Sequence, residues 1–160
     1  MIKGLGVDIV EIDRMREALR RHPRMKERIF SADERAYCES RNRPEVHYAL
    51  RFAAKEAVLK ALGTGFAGMS FQDVEVIRDG TGRPSPKLHG RAAEVAEEIG
   101  VVEMHLSLSY THTTAVASAV AMTTPDIPAQ EPADPARVRA QAFKEMRSIV
   151  DDDGPGEDAG

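Results

Sequence analysis

A chain of 160 residues, 42% apolar and 30% charged, has the length and composition of one globular domain and is too short for two comfortable ones. Its single cysteine, Cys38, excludes an intramolecular disulfide, and no apolar run is long enough to span a membrane. The opening MIKGLGVDIVEIDR has too short an apolar stretch, followed by acids, for a signal peptide, so a reducing cytoplasm and no membrane partner are expected.

In chain order, Ile2 to Val10 alternates apolar and β-branched residues and reads as a strand. Asp13 is placed to cap a helix that runs to about Arg21, where His22-Pro23 interrupts it. Ser31-Ala32-Asp33-Glu34 has the S-x-x-E form of a capping box, which predicts a second helix after Ser31. A long helix follows Pro44, from about Val46 to Leu62, with Gly63 as its stop. The stretch FQDVEVIRDGTGRPSPKLHG alternates and turns at Asp79-Gly80-Thr81-Gly82, a hairpin pattern. Arg91 to Ile99 reads as a helix ended by Gly100, and EMHLSLSY and TTAVASAVAM read as two more strands. This order predicts an α+β fold, a mostly antiparallel sheet packed by a long helix, in one domain over 1–122. Residues 123–160 are Pro-rich and acidic and are expected to be mostly disordered, with one helical segment at about 135–150.

Charge is unevenly spread. Residues 1–122 hold 18 of the 22 Lys/Arg and 17 of the 26 Asp/Glu, so the net charge of −4 resides in the tail. Within the near-neutral body, RMREALRRHPRMKER crowds arginines and Lys26 against only Glu17 and Glu27. Such a face is either simply solvated or attracts an anion, an acidic protein or nucleic acid. Nucleic acid is disfavoured by the neutral body and the scarcity of aromatics for base stacking.

Three patterns bear on chemistry. Gly63, Gly65 and Gly68 satisfy G-x-G-x-x-G, but they follow a helix and precede a strand, the reverse of the dinucleotide context. The histidines at 22, 47, 89, 105 and 112 show no zinc spacing with each other or with Cys38. Carboxylates are the better candidates. Asp8 interrupts an apolar strand, which costs free energy unless it meets water, a backbone group, a partner or an ion. Glu56 and Lys60 lie one turn apart on one helix face and read alone as a surface ion pair. Around them Ala53, Ala54, Ala57 and Ala61 keep the helix slim enough for another backbone or a flat ligand to approach, and Arg51 and Lys55 add positive charge. One acid among bases, with a strand carboxylate available, is a pattern that suits Mg²⁺ together with a phosphate.

The motifs GLGVDIVEI, RFAAKEAVLKALGTG, SFQDVEVIRDGTGRP and HLSLSYTHTTAVASAVA occur in that order. As an ordered set over about residues 1–122 they resemble the holo-acyl-carrier-protein synthases, the short class of 4′-phosphopantetheinyl transferases. The resemblance implies that fold, and an enzyme that transfers the 4′-phosphopantetheine arm of coenzyme A to a serine of an apo acyl carrier protein, in fatty-acid or polyketide synthesis, releasing adenosine 3′,5′-bisphosphate. It further implies Mg²⁺ held by Asp8 and Glu56, with Lys60 on the coenzyme A phosphates and Asp8, Glu56 and Lys60 as the catalytic set. Arg51, Gly63, Gly65, Arg83 and Pro84 fall where the family lines its nucleotide pocket, and Arg14, Arg21 and Arg24 where it docks the acidic carrier. A homotrimer is implied too. The base for the carrier serine is left open between a metal-bound water and Glu56. The chain departs from the family at Tyr110, where a histidine is usual; Tyr110 keeps a hydrogen bond but no charge, and His112 is expected to share its strand face and restore part of the charge. The same departure, with the acidic tail, is the ground for the alternative of a catalytically weakened carrier-binding or regulatory homologue.

Overall fold

The computed structural model describes residues 1–63 and 68–125. The expected tail, with its helix at 135–150, lies outside the described residues apart from 123–125. Among the described residues the order is β1 (Ile2–Glu11), α1 (Ile12–Arg21), α2 (Met25–Ile29), α3 (Ala32–Glu39), α4 (Pro44–Ala61), a 3₁₀ turn (Phe71–Asp73), β2 (Val74–Arg78), β3 (Pro84–Leu88), α5 (Gly90–Glu98), β4 (Val101–Tyr110) and β5 (Thr114–Thr123). The strands form an antiparallel sheet in the order β1-β5-β4 and a separate antiparallel hairpin, β2-β3, where one sheet was expected. The fold is α+β, as the sequence predicts.

Small residues decide how α4 meets the three-stranded sheet. On β5 the inward positions Ala115, Ala117, Ala119 and Ala121 are all fully buried alanines. On β1 the inward positions include Gly4 and Gly6, and a Cβ at either would lie 1.9 Å from a backbone carbonyl oxygen, of Ala61 and Ala57 respectively. The slim face of α4 is thus filled by a strand, and the glycines let the two backbones touch. Two apolar clusters follow. One joins the C-terminal half of α4 to β5, β2 and α5; the other joins its N-terminal half to Ile12, Met15, Phe30 and Cys38.

Local signals account for most element ends. Pro44 opens α4 and Gly63, at φ +75°, follows its last turn. The capping box of α3 is present, Ser31 Oγ accepting from Glu34 N and Glu34 Oε2 accepting from Ser31 N. At α1 the expectation is corrected: Glu11 is the N-cap residue, and Asp13 sits inside the first turn paired to Arg16. The reason is tertiary, because Ile12 N already donates to Thr113 O at 2.8 Å and that backbone donor needs no side-chain cap.

Two side chains with polar neighbours in sequence prove to be interior. Cys38 is fully buried, and burial pushes its thiol up to about 12. Lys55, expected beside Glu56, turns the other way into the core and is fully buried. Its ammonium donates to the carbonyls of Phe71 and Val74 and pairs with Glu34 at 2.8 Å. Glu34, 1% exposed, also accepts from Val76 N. Burial pulls the Lys55 ammonium down from its ordinary range, and the charge of Glu34 opposes that shift.

Candidate functional site

Asp8 lies on the same face of β1 as Gly4 and Gly6, so the close approach that those glycines allow brings its carboxylate against α4. Its side chain is 18% exposed, and Lys60 Nζ donates to Asp8 Oδ1 at 2.8 Å and to Val7 O at 2.9 Å. The acid in the apolar strand is therefore mostly shielded from water, and its partner among the described residues is a side chain and not a backbone group. Lys60, in turn, pairs with Asp8 across elements and not with Glu56 along the helix.

Glu56 stands one turn before Lys60 on α4, half-buried, and makes no hydrogen bond among the described residues. Burial first, then the charge of Asp8, raises its pKa above the usual carboxylate range, and Lys60 works against both. A strand carboxylate and a helix carboxylate thus act on each other through their charges, and the Lys60 ammonium acts on both. Among the described residues no group of three or more His, Cys, Asp or Glu converges, and the carboxylates that could serve a divalent cation here are Asp8 and Glu56. That pair suits Mg²⁺, which takes one or two carboxylates and fills its shell with phosphate oxygens and water.

A second group of expected residues gathers at the far end of β4. Arg51, 5% exposed, lines a cavity of about 220 Å³ with Pro84, Leu108, Tyr110, Tyr37 and Arg78. An adjoining cavity of about 340 Å³ shares His47 and Tyr110 and is rimmed by Arg41 and Arg43. Arg83 is exposed and is fixed through its backbone N–H to Asp79 Oδ1, 3.0 Å away. His112 does not share a strand face with Tyr110: β4 ends at Tyr110, and His112 belongs to the turn before β5. The period-2 argument fails because the strand stops two residues short of His112. Gly63 leaves open space where a Cβ would stand, and Gly65 lies outside the described residues.

Sequence reasoning missed what organises this end. The Tyr37 ring carries the Arg51 guanidinium 3.9 Å from its centroid, Arg41 at 4.3 Å and Arg78 at 5.0 Å, with His47 edge-on at 5.6 Å. Arg78 also donates to the Tyr37 hydroxyl. Burial, then the charges of Arg51, Arg41 and Arg78, lowers the His47 pKa. No local pattern links residues 37, 41, 51 and 78; only the fold does.

The basic segment divides. Arg21 and Arg24 line a groove of about 830 Å³ whose apolar floor includes Met25, Met69 and Phe71. Arg14 is exposed on α1 and does not line that groove, and Arg21 is paired with Glu17 at 2.5 Å.

This small α+β chain, with an acid on β1, a second on α4 and separate basic cavities at the end of β4, belongs to the 4′-phosphopantetheinyl transferase superfamily, whose family model matches residues 4–118. Within it the relatives are holo-[acyl-carrier-protein] synthases. The protein of that name from Moorella thermoacetica is 50% identical over 117 residues, covering 73% of this chain and 90% of its own. The crystal structure of holo-[acyl-carrier-protein] synthase from Neisseria meningitidis superposes with a TM-score of 0.70 at 33% identity, over 77% of this chain and all of that one. The Bacillus anthracis holo-(acyl-carrier-protein) synthase, solved in complex with CoA (3′,5′-ADP), gives 0.64 at 35% identity, over 78% of this chain and 99% of that one.

Proposed function

We propose that this chain moves the 4′-phosphopantetheine arm of coenzyme A onto a serine of an apo acyl carrier protein. The serine hydroxyl gives its proton to a base, its oxygen forms a bond to the pyrophosphate phosphorus nearer the pantetheine, the phosphorus–oxygen bond to the nucleotide half breaks, and adenosine 3′,5′-bisphosphate leaves. The observation that carries the reading is the meeting of Asp8, Glu56 and Lys60, from elements about 50 residues apart, in a chain of this family.

Asp8 and Glu56 would hold Mg²⁺. Support comes from the Glu56 carboxylate, which has no hydrogen bond among the described residues and whose pKa is raised by burial and then by its like-charged neighbour, a repulsion that a divalent cation relieves. Bound there, the ion supplies charge neutralisation at the pyrophosphate. Lys60 adds a positive charge beside the leaving oxygen and holds Asp8 oriented through Oδ1. Arg51, Pro84 and Tyr110 border the nucleotide end, with Arg83 on the hairpin turn and Gly63 and Gly65 after α4. Arg14 and Arg21 on α1, with Arg24 at the start of α2, meet the acidic carrier.

We further propose a homotrimer. The outer face of β1 exposes Leu5 (65%), Val7 (48%) and Ile9 (63%) next to Val116 and Val120 of β5, an apolar sheet face that copies of the chain would cover. The compartment proposed is the cytoplasm; among the described residues no helix is long and apolar enough to cross a membrane.

The test incubates apo carrier protein, coenzyme A and Mg²⁺ with the chain and weighs the carrier. The expected result is a gain of one phosphopantetheine, lost with Glu56→Ala while the fold persists. Docking of several carriers without any transfer would overturn the catalytic reading and leave a carrier-binding module.

A further inference from the structure

Three guanidinium groups converge on one ring at the end of β4, and their charge is not compensated. Among the described residues Arg41, Arg51 and Arg78 make no ion pair, although twelve such pairs involve other side chains. Arg51 is buried to 5% exposure, and its Nε has no hydrogen-bond partner there. Each cation gains about 0.5–2 kcal/mol from the face of an aromatic ring. That attraction organises three like charges without neutralising them. The cavity beside them, about 220 Å³, has Tyr37, Arg51, Arg78 and Tyr110 among its lining residues.

An anion that satisfies this arrangement carries close to two charges and several acceptor oxygens in a small volume. A phosphate monoester has both properties; a phosphodiester or a carboxylate has one charge. Coenzyme A carries such a monoester at the ribose 3′ position, on the half of the molecule that leaves. We infer that Tyr37 is a positioning residue that sets donor specificity: it gathers Arg41, Arg51 and Arg78 into a seat for a phosphate monoester, and so lets the chain tell coenzyme A from its 3′-dephospho form. This rests on the transferase reading above. The ring fixes Arg51 and Arg41 by stacking, and the hydroxyl fixes Arg78 by accepting its N–H.

Calorimetric titration of coenzyme A and of 3′-dephospho-coenzyme A into the full chain with Mg²⁺ tests it. Wild type is expected to prefer coenzyme A by roughly 30-fold, the scale of one or two charge-assisted hydrogen bonds. Tyr37→Leu is expected to weaken coenzyme A about 10-fold and the dephospho form less than 2-fold; Tyr37→Phe, which keeps the stack and loses the hydroxyl, gives about 3-fold on coenzyme A alone. Equal losses on both donors would mean that Tyr37 merely supports the fold, and equal wild-type affinities would mean that no monoester seat exists; either overturns the inference while leaving the transferase reading standing. If wild type binds neither donor, the transferase reading falls as well. Should Tyr37→Leu not fold, Arg41→Gln at the exposed rim carries the same comparison, with about 3-fold expected on coenzyme A only and none on the dephospho form.

Discussion

Removing Glu34 should destabilise the protein more than removing Lys55, although the two share one ion pair. Glu34→Ala leaves the fully buried Lys55 ammonium with two backbone carbonyls and takes the acceptor from two backbone donors, Ser31 N and Val76 N. Lys55→Met leaves the Glu34 carboxylate still held by those two N–H groups. Breaking a buried pair costs about 3–5 kcal/mol, so Lys55→Met belongs near the lower figure and Glu34→Ala near the upper. For a unit of roughly 125 residues, unfolding entropy of about 2.1 cal/mol/K per residue converts that span to a fall in Tm of roughly 11–19 °C. The double variant Glu34→Ala/Lys55→Met buries no charge but leaves Ser31 N and Val76 N without their acceptor, so it should cost about 2–6 kcal/mol, less than the sum of the singles. Urea unfolding of the four proteins closes the cycle. A Glu34→Ala cost below about 1 kcal/mol, or strict additivity, would refute the account of a coupled, desolvated pair.

Other outcomes follow from the same structure. Gly6→Ala places a methyl group 1.9 Å from Ala57 O, so β1 must retreat from α4; transfer activity should fall at least 10-fold with a drop in Tm, and an unchanged rate would show that Asp8 does not depend on that contact. Cys38 should resist a thiol reagent at pH 8 in the folded chain and react only on unfolding, because burial holds the thiol near 12. Glu75 accepts from Ser31 Oγ and pairs with His89, and these bonds hold its carboxyl below the usual range against the effect of burial. A depressed folded pKa contributes stability above the unfolded value near 4.5 that is lost as pH falls through the lower folded value. Glu75→Gln should therefore flatten the acid limb of a Tm-versus-pH profile, and an unchanged acid limb would refute the assignment.

Local signals were legible and distant ones were not. The Ser31–Glu34 box, the Pro44 start and the glycine-marked ends are written within a few residues of where they act. Asp8 stood out because an acid in an apolar strand demands an explanation, and the structure sets it against Lys60 and the Glu56 charge. Lys55 was misread by its neighbours in sequence. Successive helix residues point about 100° apart, and the i+4 and i+7 spacing aligns Lys55 with the buried Leu59 and Leu62, not with Glu56. The partner that makes this stripe tolerable, Glu34, arrives from another helix, and no periodicity announces it. The meeting of Gly4 and Gly6 with Ala57 and Ala61 was half legible: the alanines were seen as room for a backbone, but not whose. The Tyr37 assembly was wholly illegible, since four residues on α3, α4, β2 and the segment between them have no common spacing.

The pairing of β1 with β5 also has a consequence in time. Asp8 sits opposite Ala117, so the first strand synthesised completes its ladder with nearly the last one of the unit. At roughly 5–20 residues per second, about 110 intervening residues take some 5–20 s to make. Through that interval Leu5, Val7 and Ile9 have no β5 beside them, on a strand whose inward glycines give it little side chain to hold it on α4. The acid site is therefore a late product of biogenesis, and the nascent chain is most exposed to mispairing at the strand that bears Asp8.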